Sequence, residues 1–527
     1  MKTLSNEMTT YTMQDLEGFF APIATRFPSL GKAFQTSTSH YFYDTGTGKV
    51  IQCSLTMYKI LKCWELNREF NSIVALSIPE DEIINELSEL WSVVGDENIM
   101  QAIPIEEFHV LEDVENYINT HVNMITLELT ERCNLRCRYC VYDDDMDTHR
   151  GFGSRDMTFE TAKKAIDLIV KHSTELEPEK YLILSFYGGE PLLQFNLIKQ
   201  CVEYAESQNV KRKWLFSITT NCTLLTDEMV KCFAEKGFAL TASIDGYKEI
   251  HDANRVSSSG TGSFDRAIRN LEKLALAYKE NGVEDSRISI NSVMTPPYDF
   301  EKLDRIQRFF SSLKWLPENV RITWSYAQPP SEIIKQETER EIARVELGDA
   351  KDLDPITEWH YEKMSLSEGN LFTREGETRS LRVIQERRIT EKPTNTAHLN
   401  ACCLPGSNRV YVAADGSLQI CERIGKSPAI GNVNDGYDFA AIRRYFFDEY
   451  IEQSLPYCKD CWAVQMCAVC YMYCYNNDVI DMDKKSLYCA KTRFLRERAL
   501  IKYHDLLENN LDGLMNFLEL NHNNTVI

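Results

Sequence analysis

The sequence predicts an α/β fold: a partial (β/α)6 barrel set between a small α+β module and a cysteine-rich C-terminal part. Three observations carry that reading. Between residues 123 and 326, strand-length apolar segments alternate six times with amphipathic helical stretches, the pattern of a parallel sheet covered by helices. The first of these segments runs directly into Cys133, Cys137 and Cys140, spaced Cys-x3-Cys-x2-Cys. Nine of the 17 cysteines fall after position 400, too clustered for scattered core residues.

Taken in order, residues 36–101 read as a separate module. A hairpin is expected from 40–44 and 49–53 around the turn Thr45-Gly46-Thr47-Gly48. Met57, Ile60, Leu61 and Trp64 then recur at helical spacing. Pro79 and the acidic residues Glu80, Asp81 and Glu82 open a second helix carrying Ile83, Leu87, Leu90 and Val94, which Gly95 is placed to end. The six strands are expected at 124–129, 181–187, 214–219, 238–244, 287–293 and 321–326, with helices such as 161–171 between them. Residues 328–398 turn polar and read as a solvated helical bridge with no chemistry assigned. A short strand at 409–412 and a turn at Asp415-Gly416 then precede Cys421, and 491–519 read as one or two amphipathic helices. The expected domains are 1–118, 119–327, 328–399 and 400–527.

Composition narrows the function classes. Acidic residues outnumber basic ones 79 to 58, and the net charge of −21 opposes binding to a phosphate backbone, so no nucleic-acid partner is expected. The N-terminus carries Lys2, Glu7, Asp15 and Glu17 without a continuous apolar core, which argues against a secretory signal, and no apolar run is long enough for a membrane helix. The expectation is a cytoplasmic, reduced protein without a membrane partner. Its thiols then serve metal or iron–sulfur ligation better than disulfides.

Three thiols after the first strand are one short of a full iron–sulfur ligand set, so one iron would stay open to something that is not protein. A structural zinc turn is the alternative. Three further motifs sit where a barrel has its catalytic rim: Tyr187-Gly188-Gly189-Glu190-Pro191, Thr219-Thr220-Asn221 and Ser243-Ile244-Asp245-Gly246. A glycine pair admits close backbone approach, Glu190 or bare carbonyls can take an ammonium, and Asn221 and Ser243 can bind hydroxyls or a carboxylate. Gly188-Gly189 also reads as a plain tight turn. Cys53, Cys63, Cys201, Cys222 and Cys232 lack partner spacing and read as small core hydrophobes, with Cys222 notable for following Asn221. Tyr471, Met472, Tyr473 and Tyr475 read as packing, and the acidic residues at 143–147 as a solvated turn.

On the three-cysteine loop and the Gly-Gly-Glu-Pro turn, the sequence resembles the radical SAM family, whose fold is a partial, TIM-like barrel. The resemblance implies a [4Fe-4S] cluster on Cys133, Cys137 and Cys140 with S-adenosylmethionine on the open iron, cleaved on reduction to a 5′-deoxyadenosyl radical. It places Tyr139 against the adenine, Gly188, Gly189, Glu190 and Pro191 at the methionine amine, and Asn221 and Ser243 at ribose and carboxylate. Arg255 resembles a cofactor-carboxylate ligand of related maturases, against the alternative of a surface salt bridge; His251 reads as structural.

The late cysteines, Cys402, Cys403, Cys421, Cys458-x2-Cys461-x5-Cys467-x2-Cys470-x3-Cys474 and Cys489, resemble the SPASM extension, which carries two auxiliary [4Fe-4S] clusters. A zinc ribbon is the alternative. By the match, Cys458, Cys461, Cys467 and Cys489 hold the outer cluster. The inner one draws on Cys402 or Cys403, on Cys421, and on Cys470 or Cys474, because the spacing departs from the family pattern there. The N-terminal module resembles the winged-helix-like peptide-recognition domain of ribosomal-peptide maturases, against a generic cap. Together with the stretch from Cys403 to Gly431, it implies a precursor peptide with a leader, an external electron donor of flavodoxin or ferredoxin type, and thioether cross-linking of a cysteine. Carbon–carbon cross-linking, epimerisation and sulfatase-type formylglycine formation are the other enzymatic readings, and a cluster-bearing electron carrier is the non-enzymatic one.

Overall fold

The computed structural model describes residues 11–142, 152–177, 179–284, 287–317, 320–327, 355–364, 374–407, 409–424, 427–476 and 478–520. The acidic run at 143–147 and the start of the polar bridge, 328–354, lie outside them.

The N-terminal module is larger than its hairpin. Helix Met13–Arg26, capped by Thr12 and Asp15 in a reciprocal box, precedes an antiparallel sheet of β1 (Gly31–Gln35), β2 (His40–Asp44) and β3 (Val50–Cys53) in that order. Both the first helix and β1 precede the expected start at Thr36. Helices Leu55–Asn67 and Glu80–Glu97 follow, and they bury Trp64 and Leu87 with Leu16, Phe20 and Phe42 in one core. Gly95 does not end the second of these helices; the chain continues helical to Glu97, and Asn98 takes the left-handed position at φ 55°. After it come the short strand β4 (Glu107–His109) and helix Val114–Thr120.

All six expected strands form: β5 (Met124–Glu128), β6 (Leu182–Tyr187), β7 (Trp214–Thr220), β8 (Ala239–Ser243), β9 (Ile288–Met294) and β10 (Arg321–Tyr326). They pair in sequence order and all in parallel. Their apolar runs are buried under helices such as Phe159–Lys171, which turns Ala162, Ala165, Ile166 and Ile169 inward. Every loop that leaves a strand's carboxyl end therefore opens on the same rim.

Beyond β11 (Thr396–His398), which pairs with β4, the C-terminal part joins the barrel sheet itself. Strand β12 (Val410–Val412) lies parallel to β5, with Val410 opposite Ile125. Strands β13 (Ser417–Gln419), β14 (Gly431–Asn432) and β15 (Gly436–Tyr437) extend the sheet antiparallel from there, so barrel and cysteine-rich part share a core. The bridge is more than solvated helix: Pro355–Met364 buries Ile356 and Trp359, and Arg374–Gln385 buries Leu381 and Ile384. The tail is two helices, Met482–Asn509 and Leu511–Leu520. A third core ties the ends of the chain together, with Phe34 and Tyr43 of the N-terminal module against Trp462, Leu500 and Tyr503. Among the described residues no helix is long and apolar enough to cross a membrane.

Candidate iron–sulfur and cofactor site

The loop after β5 is held from two sides. Thr130 and Arg132 accept, through their carbonyls, from the amides of Gly189 (2.8 Å) and Glu190 (2.9 Å), while Arg136 and Arg138 donate their amides to the carbonyls of Val256 and Asn254. The glycine pair is required by this contact as well as by the turn. A Cβ on Gly189 would stand 2.3 Å from the Arg132 carbonyl oxygen, and one on Gly188, at φ 128°, 2.5 Å from that of Thr130.

Within the loop Cys133, Cys137 and Cys140 are each partly buried and act electrostatically on one another. Burial, reinforced by the neighbouring charges of Glu190 and the other two thiols, pushes Cys133 up to about 12. Burial likewise pushes Cys137 up to about 11, against the opposing Arg255 guanidinium.

Glu190 is 1% exposed and its carboxylate is fully engaged. It accepts from Thr220 Oγ1 (2.7 Å) and from the amides of Asn221 (2.9 Å) and Leu192 (3.1 Å), so it bolts the end of β6 to the end of β7. Burial raises it to about 7 against those donors. Asn221 donates to Asn134 Oδ1 (3.0 Å) and accepts from Thr223, while Asn134 donates to Thr223 Oγ1. This ties the cysteine loop to the end of β7. Cys222 next to it is buried at φ 62° with its amide on Thr220 Oγ1, a backbone corner rather than an exposed thiol.

The third anchor is centred on Asp245, 2% exposed. It accepts from the Tyr139 hydroxyl, from Arg255 Nε (3.0 Å) and from the Val293 amide (3.1 Å). The Arg255 guanidinium lies 5.4 Å from the centre of the Tyr139 ring and within electrostatic reach of Cys137. Arg255 is thus in a buried ion pair, not a surface one. His251 is buried between the Asp245 amide and Ser263 Oγ (3.0 Å), as its structural reading expects. Ser243 is 9% exposed at the end of β8. An open cleft of about 540 Å³ runs past Tyr139 of the cysteine loop and past Asn254, Thr295, Lys302 and Ala327, which follow β8, β9 and β10. Asn134 and Asp245 were not singled out from sequence; a polar side chain inside the cysteine loop and a carboxylate in Ser243-Ile244-Asp245-Gly246 were the available signals.

The late cysteines divide into groups. Cys458, Cys461, Cys467 and Cys489 act on one another, with burial raising all three of Cys458, Cys461 and Cys467. Cys470 lies within electrostatic reach of Cys421 and Cys403, and Cys402, beside Tyr450, within reach of Cys474, Cys470 and Cys467. Among the described residues no group of three or more potential ligands is gathered tightly enough for a single metal ion. The surroundings of the outer set fit an anionic cluster: Lys485 Nζ is aimed at Cys458 and Cys489, and the buried Tyr43 hydroxyl, within electrostatic reach of Cys461, has no hydrogen-bond partner. Tyr471 and Tyr475 are buried packing.

Residues 127–310 match the model of the radical SAM superfamily. Over these residues the chain is similar to a radical SAM domain. The match runs from the end of β5 through β9, with the cysteine loop and all three rim motifs. Relatives over this region include a cysteine-type anaerobic sulfatase-maturating enzyme of Clostridium novyi (strain NT), 30% identical over 193 residues, 36% of this chain and 48% of the relative. Another is the radical SAM cyclopropyl synthase TigE of Paramaledivibacter caminithermalis, 25% identical over 266 residues, 47% of this chain and 52% of the relative. The chain thus spans about half the length of these curated relatives. Among solved structures, anSMEcpe with bound AdoMet superposes with a TM-score of 0.53 at 20% identity, covering 76% of this chain and 98% of that one, a likeness of fold.

Proposed function

We propose that this chain is a radical S-adenosylmethionine maturase that forms thioether cross-links in a ribosomally made precursor peptide. The observation that carries the reading is the cysteine loop between the Gly188-Gly189 turn and the Asp245 anchor, open to the cleft at the strand ends. In this reading Cys133, Cys137 and Cys140 hold a [4Fe-4S] cluster, and two auxiliary [4Fe-4S] clusters sit on the late cysteines: the outer on Cys458, Cys461, Cys467 and Cys489, the inner with Cys403, Cys421 and Cys470. When bound, these groups and S-adenosylmethionine supply a 5′-deoxyadenosyl radical and an acceptor for one electron.

The chain's own residues bind and orient. Because the Glu190 carboxylate is spent on β7, the carbonyls of the Gly188-Gly189 turn are left for the methionine ammonium. Tyr139, held by Asp245, forms the wall of the cleft for the adenine, and Ser243 and the Arg255 neighbourhood face ribose and carboxylate. Thioether closure takes two hydrogens from the peptide, one as a hydrogen atom from carbon and one as the thiol proton with an electron, and leaves a sulfur-to-carbon bond.

Support for a peptide substrate comes from the N-terminal sheet. On β1 the Ala33 amide is taken by Glu65, but β3 is an end strand among the described residues. Asp44 donates its amide to Lys49, so Ile51 and Cys53 pair inward, and Val50 and Gln52 turn their backbone groups to the open edge. Such an edge binds an extended leader as an added strand. Formylglycine formation is the second reading, favoured by the sulfatase-maturating relative. Anaerobic reconstitution with S-adenosylmethionine, a reductant and a short cysteine-containing peptide encoded beside the gene separates the readings. A loss of two hydrogens with a blocked thiol supports the thioether. Deuterium uptake at unchanged connectivity assigns epimerisation, two lost hydrogens with a free thiol a carbon–carbon bond, and an aldehyde formylglycine.

A further inference from the structure

The outer cysteine set has a cation built against it that substrate binding does not use. Lys485 is 0% exposed, with Nζ 3.7 Å from Cys458 Sγ and 3.9 Å from Cys489 Sγ, and the ring of Tyr450 lies 5.6 Å away. Among the described residues its ammonium has these sulfurs as polar partners and no carboxylate. An ammonium shut away from water needs a negative partner, and neutral thiols do not supply one.

Lys485, Cys489 and Arg493 stand at i, i+4 and i+8 of helix Met482–Asn509, on one face. Arg493 and, from the N-terminal module, Tyr43 lie within electrostatic reach of Cys461. Two cations of this helix face thus stand against the outer thiols, Lys485 at Cys458 and Cys489 and Arg493 at Cys461. A [4Fe-4S] cluster on four thiolates carries net negative charge and gains more on reduction, so adjacent positive charge favours the reduced form.

We propose that Lys485, seconded by Arg493, is the counter-charge of the outer cluster and raises its reduction potential, making it easier to reduce than the same thiolates alone would. This rests on the two-cluster reading above and concerns a positioning residue, since Lys485 acts on the cluster and not on substrate.

The test uses the full chain with Cys133, Cys137 and Cys140 each changed to Ala, so that only the late cysteines hold iron. After anaerobic reconstitution, iron per chain and midpoint potentials by EPR-monitored titration are read. Absence of iron from this parent overturns the two-cluster reading itself, and the proposal with it. With iron present, Lys485→Met and Lys485→Gln are expected to shift one midpoint to more negative potential and leave the other in place, while Lys485→Arg keeps both. Loss of one cluster's iron in Met and Gln but not in Arg is the stronger form of the same result. Unchanged midpoints in Met and Gln at parental iron content overturn the proposal, as does an Arg variant that shifts or loses iron as far as Met.

Discussion

Asp245 gathers a phenol, a guanidinium and a backbone amide in a place almost closed to water, and that makes it the residue on which the rim depends most. Asp245→Asn leaves Arg255 buried without its counter-charge, and breaking a pair of this kind costs about 3–5 kcal/mol. Chemical denaturation of the iron-free chain should show a loss of that order, and a change under about 1 kcal/mol would remove the anchor from the account. His251 supplies a pH test. Burial first, and then the Arg255 charge, lowers it to about 3, so the folded state holds it neutral while the unfolded chain protonates near 6.5. Between those values the unfolded state binds the extra proton, so this contribution to stability is present above pH 6.5 and lost as pH falls toward 3, by about 1.4 kcal/mol per unit. A Gln at position 251 should flatten that part of the stability profile; equal slopes for both proteins would contradict the assignment.

At the scale of elements, the barrel strands were legible in two ways: Leu182–Tyr187 is a nearly continuous apolar run buried almost throughout, while Ile288–Met294 alternates buried and half-buried positions with a strand's period of two. Strand β12 was legible as a strand, but its parallel pairing with β5 was not, since three residues carry no information about their partner. The first helix escaped notice because Leu16, Phe20 and Ala24 are its only buried positions and Pro22 interrupts the pattern. The choice between Cys402 and Cys403 was illegible for another reason: the two are adjacent in sequence, and only the fold half-buries the first and leaves the second exposed, with both in electrostatic reach of Cys470. In the site, residue types showed Gly188, Gly189 and the three loop cysteines, but not that Glu190 is consumed in joining β6 to β7. The edge of β3 yields a prediction at this scale. Gln52 is exposed and turns its amide outward, so Gln52→Pro should weaken binding of the leader peptide at least about tenfold, roughly 1.4 kcal/mol, with peptide-free cofactor cleavage unchanged. Unaltered affinity by fluorescence anisotropy would move the peptide elsewhere.

Across the whole molecule, the cysteine-rich part is not an appendage. It extends the barrel sheet through β12, and the N-terminal module reaches the outer thiols through Tyr43 and Trp462, so the three regions form one connected body around the rim. Removing the N-terminal module would strip the core that covers Trp462 and Leu500, which is why a point change in β3 tests peptide binding more cleanly than truncation. The central claim is that the loop after β5 turns S-adenosylmethionine into a hydrogen-abstracting radical. Its most direct test is anaerobic reconstitution of the full chain, reduction in the presence of S-adenosylmethionine, and quantification of 5′-deoxyadenosine. The wild-type chain should form it, and replacement of Cys133, Cys137 or Cys140 by Ala should each abolish it. Undiminished 5′-deoxyadenosine in any of the three variants would contradict the account.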